Sequence, residues 1–123
     1  MKTVNAIVID PVSKTIYPTT INEGEKGWDE IKKLVDAKYL ELAVNFNEKA
    51  LMYCDEEGWL KNETRPCFKF DGVTVPGKAI VIHDDGEMGY PIEWETDKMF
   101  KYINILTKGV TFLGEKNYNG YQF

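Results

Sequence analysis

The first apolar run covers residues 3–9. Val4, Ala6 and Val8 would point one way and Asn5, Ile7 and Ile9 the other. Apolar residues on both sides suit a strand that is covered on both faces. Asp10-Pro11 ends the run, because proline has no amide to give to a ladder. Residues 15–21 form a weaker strand, and Pro18 within it points to a sheet edge. A 3.6-residue period follows: Trp28, Ile31, Leu34 and Val35 make one stripe of a helix expected over 28–38. Asp29 and Glu30 lie in its first turn, where the helix dipole favours anions.

The period then returns to two. Leu40, Leu42, Val44 and Phe46 alternate with Glu41, Ala43 and Asn45, and residues 50–55 supply a second strand across Asn47-Glu48-Lys49. Glu57-Gly58 makes a turn. Asp71-Gly72 between Phe68-Lys69-Phe70 and Val73-Thr74-Val75 is the strongest hairpin signal in the chain. Residues 79–83 make another apolar strand, closed by the acidic turn Asp84-Asp85-Gly86. Thr96 is placed to cap a second helix over 97–108, ended by Gly109, with Met99, Phe100, Ile103 and Leu106 as its buried stripe. Residues 110–113 make a last strand, and Tyr118, Tyr121 and Phe123 give an aromatic tail expected to pack on the body or on another copy of the chain. The expectation is one α+β domain over 1–123: a mostly antiparallel or mixed sheet of about six strands with two helices, residues 90–123 forming a helix-and-tail extension.

Composition supports a packed domain. At 123 residues and 14.2 kDa, size scaling expects a folded surface of about 7,000 Å² against about 20,000 Å² unfolded. The net charge is −5, from 15 basic and 20 acidic residues. The lysines are scattered and Arg65 is the sole arginine, which argues against direct nucleic-acid binding, where cations cluster and arginine reads guanine. Acidic clusters at 55–57, at 84, 85 and 87, and at 93, 95 and 97 are read as solvated turns before they are read as a mimic of DNA. No apolar run approaches the roughly 18 residues of a membrane span. Asn5 and Asp10 interrupt what would be the core of a secretory leader, so a cytoplasmic protein is expected.

Candidate chemistry is sparse. His83 is the lone histidine, and with Asp84 and Asp85 it is read as a strand end beside an acidic turn, not as a metal site. Cys54 and Cys67 are expected to be free thiols, Cys54 serving as a small apolar residue in its strand. No glycine-rich phosphate loop occurs. Neither a catalytic residue nor a cofactor is therefore assigned. Trp59 and Trp94 draw notice because tryptophan is enriched at binding hot spots and both have acidic neighbours.

The order Ala6-Ile7-Val8-Ile9-Asp10-Pro11, then Ile31-Lys32-Lys33-Leu34-Val35, then Tyr53-Cys54-Asp55-Glu56-Glu57-Gly58, Leu60-Lys61-Asn62 and Gly77-Lys78-Ala79-Ile80-Val81-Ile82 resembles a family of small phage and mobile-element proteins known only as a domain of unknown function. The resemblance covers about residues 4–83. It implies an accessory protein that acts by binding and modulates or inhibits a host factor. The alternatives are a binder that sequesters a small molecule or nucleotide and, third, a small enzyme. The best-matching positions are Asp10, Asp55, Glu56, Gly58 and Asn62, where Asp10 would cap a turn and Asn62 would bond its loop. Candidate binding residues are thus Asp10, Asp55, Glu56, Trp59, Asn62, Trp94, Tyr118 and Tyr121. The partners expected are a host protein or a small molecule, with neither nucleic acid nor membrane, and a homo-oligomer through the tail.

Overall fold

The computed structural model describes residues 2–47, 49–58, 65–84, 86 and 90–116. Among these, the order is β1 (Thr3–Asp10), β2 (Thr15–Asn22), α1 (Gly27–Leu34), β3 (Leu40–Asn45), β4 (Ala50–Asp55), β5 (Arg65–Phe70), β6 (Val73–Pro76), β7 (Ala79–Asp84), β8 (Pro91–Ile92), α2 (Thr96–Gly109) and β9 (Thr111–Lys116). This is an α+β fold in which every strand pairing is antiparallel. Six strands form the large sheet, ordered β2-β1-β7-β4-β3 with β8 paired to β7, and β6-β5-β9 form a second sheet of three. The two-residue β8 carried no pattern of its own in the sequence. None of the helices described is long and apolar enough to cross a membrane.

The two-sided apolar run of β1 explains the layering. Val4, Ala6 and Val8 join Ile80 and Ile82 of β7 under Ile31 of α1 and Val35 just after it. Ile7 and Ile9 face the other way, into a cluster with Met52, Phe68, Phe70, Val81, Tyr102 and Leu106. The large sheet is therefore the middle layer, with α1 on one face and the small sheet with α2 on the other. The accessible surface, 6940 Å², is the size that scaling expects for a packed chain of this mass. β2 occupies an edge, as Pro18 required, and Asp71 and Gly72 both have positive φ (48° and 80°), the geometry of a two-residue hairpin turn.

Four local expectations are corrected. First, α1 stops at Leu34 instead of running to 38. Asp36 has φ 55°, the Ala37 amide donates to the Lys32 carbonyl at 2.8 Å, and the Asp36 amide donates to the Lys33 carbonyl at 3.3 Å. This is a left-handed C-terminal cap built on Asp, without the glycine that usually announces one. Second, the alternation of β3 breaks. The register jumps between Leu42, opposite Tyr53, and Val44, opposite Met52, so Ala43 is the extra residue of a bulge. Leu40 stays on the α1 face, while Val44 and Phe46 turn to the opposite cluster. Third, Thr96 is the first residue of α2, not its cap. Glu95, with extended backbone, precedes it, and no side chain caps the helix. Fourth, Phe100 is 56% exposed and Tyr102 takes the buried place expected of it. Tyr102 falls at i+3 from Met99 and i−4 from Leu106, and its ring meets Phe46 at 5.1 Å and Trp94 at 5.5 Å.

Candidate functional site

The acidic turn after β4 is built around one carboxylate. Asp55 Oδ1 accepts the Glu57 amide at 2.9 Å, and the Gly58 amide donates to the Asp55 carbonyl at 3.1 Å. Asp55 Oδ2 faces Arg65 Nη1 at 3.5 Å, and the same nitrogen reaches the Gly58 carbonyl at 3.4 Å. The carboxylate is almost fully enclosed and the guanidinium largely so, with side-chain exposures of 2% and 13%. Gly58 is required by a close approach, since a Cβ there would lie 2.5 Å from Pro76 Cγ. Asp55 and Gly58 thus have structural duties: the first holds the turn and the second lets β6 come near.

Beside this turn lies a cleft of about 210 Å³ between β3 and β6. Each of these strands ends its sheet, and among the described residues β3 pairs only with β4 and β6 only with β5. Glu41, Leu42 and Glu56 line the cleft on one side and Val73 and Thr74 on the other, with Cys54 also in its lining. Leu42 is 45% and Val73 37% exposed, so each strand carries apolar surface that faces water beside the cleft, and Glu41 and Glu56 are exposed carboxylates. Sheet edges of this kind offer unpaired amides and carbonyls to an incoming strand.

Among the described residues, reactive groups are few and set apart. Burial, followed by the nearby carboxylates of Glu41 and Asp55, pushes the Cys54 thiol up to about 12. The thiol therefore stays protonated at pH 7, which suits an inert apolar residue and not a nucleophile. His83 pairs in register with Ala50, so Cys54, four residues along β4, is about 13 Å away. His83 instead lies against the Trp94 ring at 5.3 Å, with Nδ1 3.2 Å from the Glu93 carbonyl and Nε2 3.4 Å from Lys98 Nζ. Both contacts suit the tautomer protonated on Nδ1, which donates to Glu93 and accepts from Lys98. Cys67 is buried and donates to the Gly114 carbonyl at 3.6 Å. No group of three or more His, Cys, Asp or Glu side chains among the described residues converges to hold a metal ion.

The sequence-based candidates divide accordingly. Asp55 and Glu56 line the β3–β6 cleft. Asp10 is outside it, its Oδ1 accepting the Val12 amide at 2.9 Å and the Ser13 amide at 3.4 Å, the turn cap expected of it. Trp94 is only 5% exposed, so its ring is core and not a partner-facing anchor. Glu93 beside it accepts from the Asn5 amide and side chain and from the Trp94 amide, which makes this acid a structural clamp. Trp59, Asn62, Tyr118 and Tyr121 lie outside the described residues. Glu41, Leu42, Val73 and Arg65 were not singled out. The edge position of β3 and β6 is a tertiary fact without a sequence mark, whereas Arg65, as the chain's one arginine, was a signal that could have been followed. No protein-family model, no curated protein and no solved structure matches this chain.

Proposed function

We propose that this chain works by binding, capturing an extended, cationic segment of a partner protein in the β3–β6 cleft. In the phage or mobile-element setting that the sequence resemblance implies, the partner is a host factor that the chain modulates. The observation that carries the proposal is the meeting of two sheet-end strands at a cleft with exposed Leu42 and Val73 on its walls and exposed Glu41 and Glu56 beside them. Strand addition supplies main-chain hydrogen bonds, and wall pockets select side chains. The two carboxylates and the chain's net charge of −5 favour Lys or Arg next to an apolar residue in the incoming segment.

A peptide array screened with the whole protein, followed by fluorescence anisotropy on the best sequences, tests this. Extended peptides alternating apolar and basic residues should bind, and Leu42→Asp should weaken them at least ten-fold. If such peptides do not bind, or bind equally well after Leu42→Asp and Val73→Asp, the proposal fails.

A further inference from the structure

A second cleft, of about 350 Å³, lies where the end of α1, the start of β5 and the corner before β7 come together. We propose that it binds the phosphate monoester of a small molecule. Lys33, Arg65 and Lys78 line it, with Val12, Leu34 and Pro66 as an apolar wall. Asp36 is the single carboxylate among the described residues of that lining. In a chain whose acids outnumber its bases, 20 to 15, three cations against one carboxylate among the described lining residues is a local reversal of charge. Counting Asp55 behind Arg65 as well still leaves the described lining net positive.

The arginine is already set for recognition. Its Nη1 is engaged by Asp55 Oδ2 and the Gly58 carbonyl, which fixes the plane of the guanidinium in advance. A pre-oriented fork loses less entropy when it takes an anion. Gly77 has φ 75°, and a Cβ built on it would be 3.8 Å from Arg65 Cζ and Nη2, so this corner lies against the guanidinium. One feature opposes an anion: the C-terminal end of α1 carries about half a negative charge. The carbonyls of Ile31, Lys33 and Lys32 accept the amides of Val35, Asp36 and Ala37, and the full charges of Lys33 and Lys78 oppose what remains of that partial charge. The volume falls within the roughly 300–1,000 Å³ of small-molecule pockets. It is too compact for a nucleic-acid track, which needs cations spread along a groove. The combination of cations and an apolar wall selects a phosphate joined to an apolar or aromatic group.

Amide chemical-shift titration of the whole protein at fixed ionic strength, with phenyl phosphate, inorganic phosphate and phenol, tests the assignment. Phenyl phosphate should move the amides of Lys33, Gly77 and Lys78, inorganic phosphate should bind more weakly at the same amides, and phenol should leave them unmoved. Lys33→Glu and Lys78→Glu should each weaken phenyl phosphate on the order of ten-fold. Both sites have solvent access, so an unchanged spectrum elsewhere verifies the fold. The assignment falls if phenol binds as well as phenyl phosphate, if inorganic phosphate binds as tightly as the ester, or if neither charge reversal changes the affinity. The outcome is independent of peptide capture between β3 and β6.

Discussion

Asp55 and Arg65 meet at 3.5 Å across a ten-residue interval of chain, one ending β4 in the large sheet and the other opening β5 in the small sheet. The carboxylate borders the cleft beside β3 and the guanidinium borders the cleft beside α1. One enclosed ion pair thus joins the two sheets and separates the two concave sites. Its charges are costly to bury alone, and each is tolerated because the other is present.

Removing either partner should therefore cost more than a surface contact would. Arg65→Ala removes the guanidinium that faces an enclosed carboxylate, which keeps the Glu57 amide, and a loss of about 3–5 kcal/mol is expected from such pairs. Asp55→Ala should cost a similar amount. The double variant should lose clearly less than the sum of the singles, because the two side chains share one contact that either substitution already removes. Urea unfolding of the three variants and the parent completes the cycle, and strict additivity would remove the pair from this role.

The same substitution at two glycines separates steric from conformational demand. Gly72 has φ 80° and nothing within 4 Å of a built Cβ, so Gly72→Ala meets only the left-handed backbone penalty, about 1 kcal/mol. At Gly58 a Cβ would sit 2.5 Å from Pro76 Cγ and 3.2 Å from the Asp55 carbonyl. Gly58→Ala must then displace β6 or the acidic turn, with about 1–3 kcal/mol expected for forced overpacking. Thermal unfolding should rank Gly58→Ala as the more harmful, and amide shifts should reach Pro76's neighbours only in that variant.

Cys54 ties stability to alkaline pH. Its thiol is raised from 9.0 to about 12 by burial first, and then by Glu41 and Asp55. The unfolded chain releases this proton near pH 9 and the folded chain does not, so folding keeps the full benefit below pH 9 and loses it as pH climbs from 9 towards 12. Tyr53, raised from 10.0 by burial and by Asp84, works in the same direction at the upper end of that window. The urea midpoint should fall with rising pH above 9, and Cys54→Ala should flatten the slope between 9 and 10. Alkylation of the native protein at pH 8 should be slow, and a fast reaction would contradict the enclosed, protonated thiol.

The elements with strong local periodicity were legible. The doubly apolar β1, the Asp71-Gly72 hairpin and the edge position of β2 follow from residue type alone. Three misreadings share another origin, in which a local signal was overruled by tertiary geometry or was missing. Asp36 ended α1 in a conformation usually left to glycine, the bulge at Ala43 moved Val44 to the other face, and Tyr102 displaced Phe100 because Phe46 and Trp94 surround it. Near the cleft, Asp55 and Glu56 were legible as members of an acidic turn. Their cleft was not, because it is made by two sheets passing each other and neither β3 nor β6 records that approach in its own sequence.

Leu42 offers the sharpest division between folding and function. It lies on β3 just before the bulge, 45% exposed, on the wall of the β3–β6 cleft. A side chain kept only for packing would cost several kcal/mol to replace by a charge, whereas one already facing water should cost under about 1 kcal/mol. Leu42→Asp is therefore expected to unfold near the parent midpoint while losing peptide affinity at least ten-fold, through lost apolar contact in the cleft. Leu42→Met keeps the apolar volume and should keep the affinity. Added salt should weaken the parent's peptide binding, because Glu41 and Glu56 act at the exposed rim, where ions screen them. If Leu42→Asp collapses the fold, this wall belongs to the core. If affinity is indifferent both to this charge and to salt, the peptide binds elsewhere on the molecule.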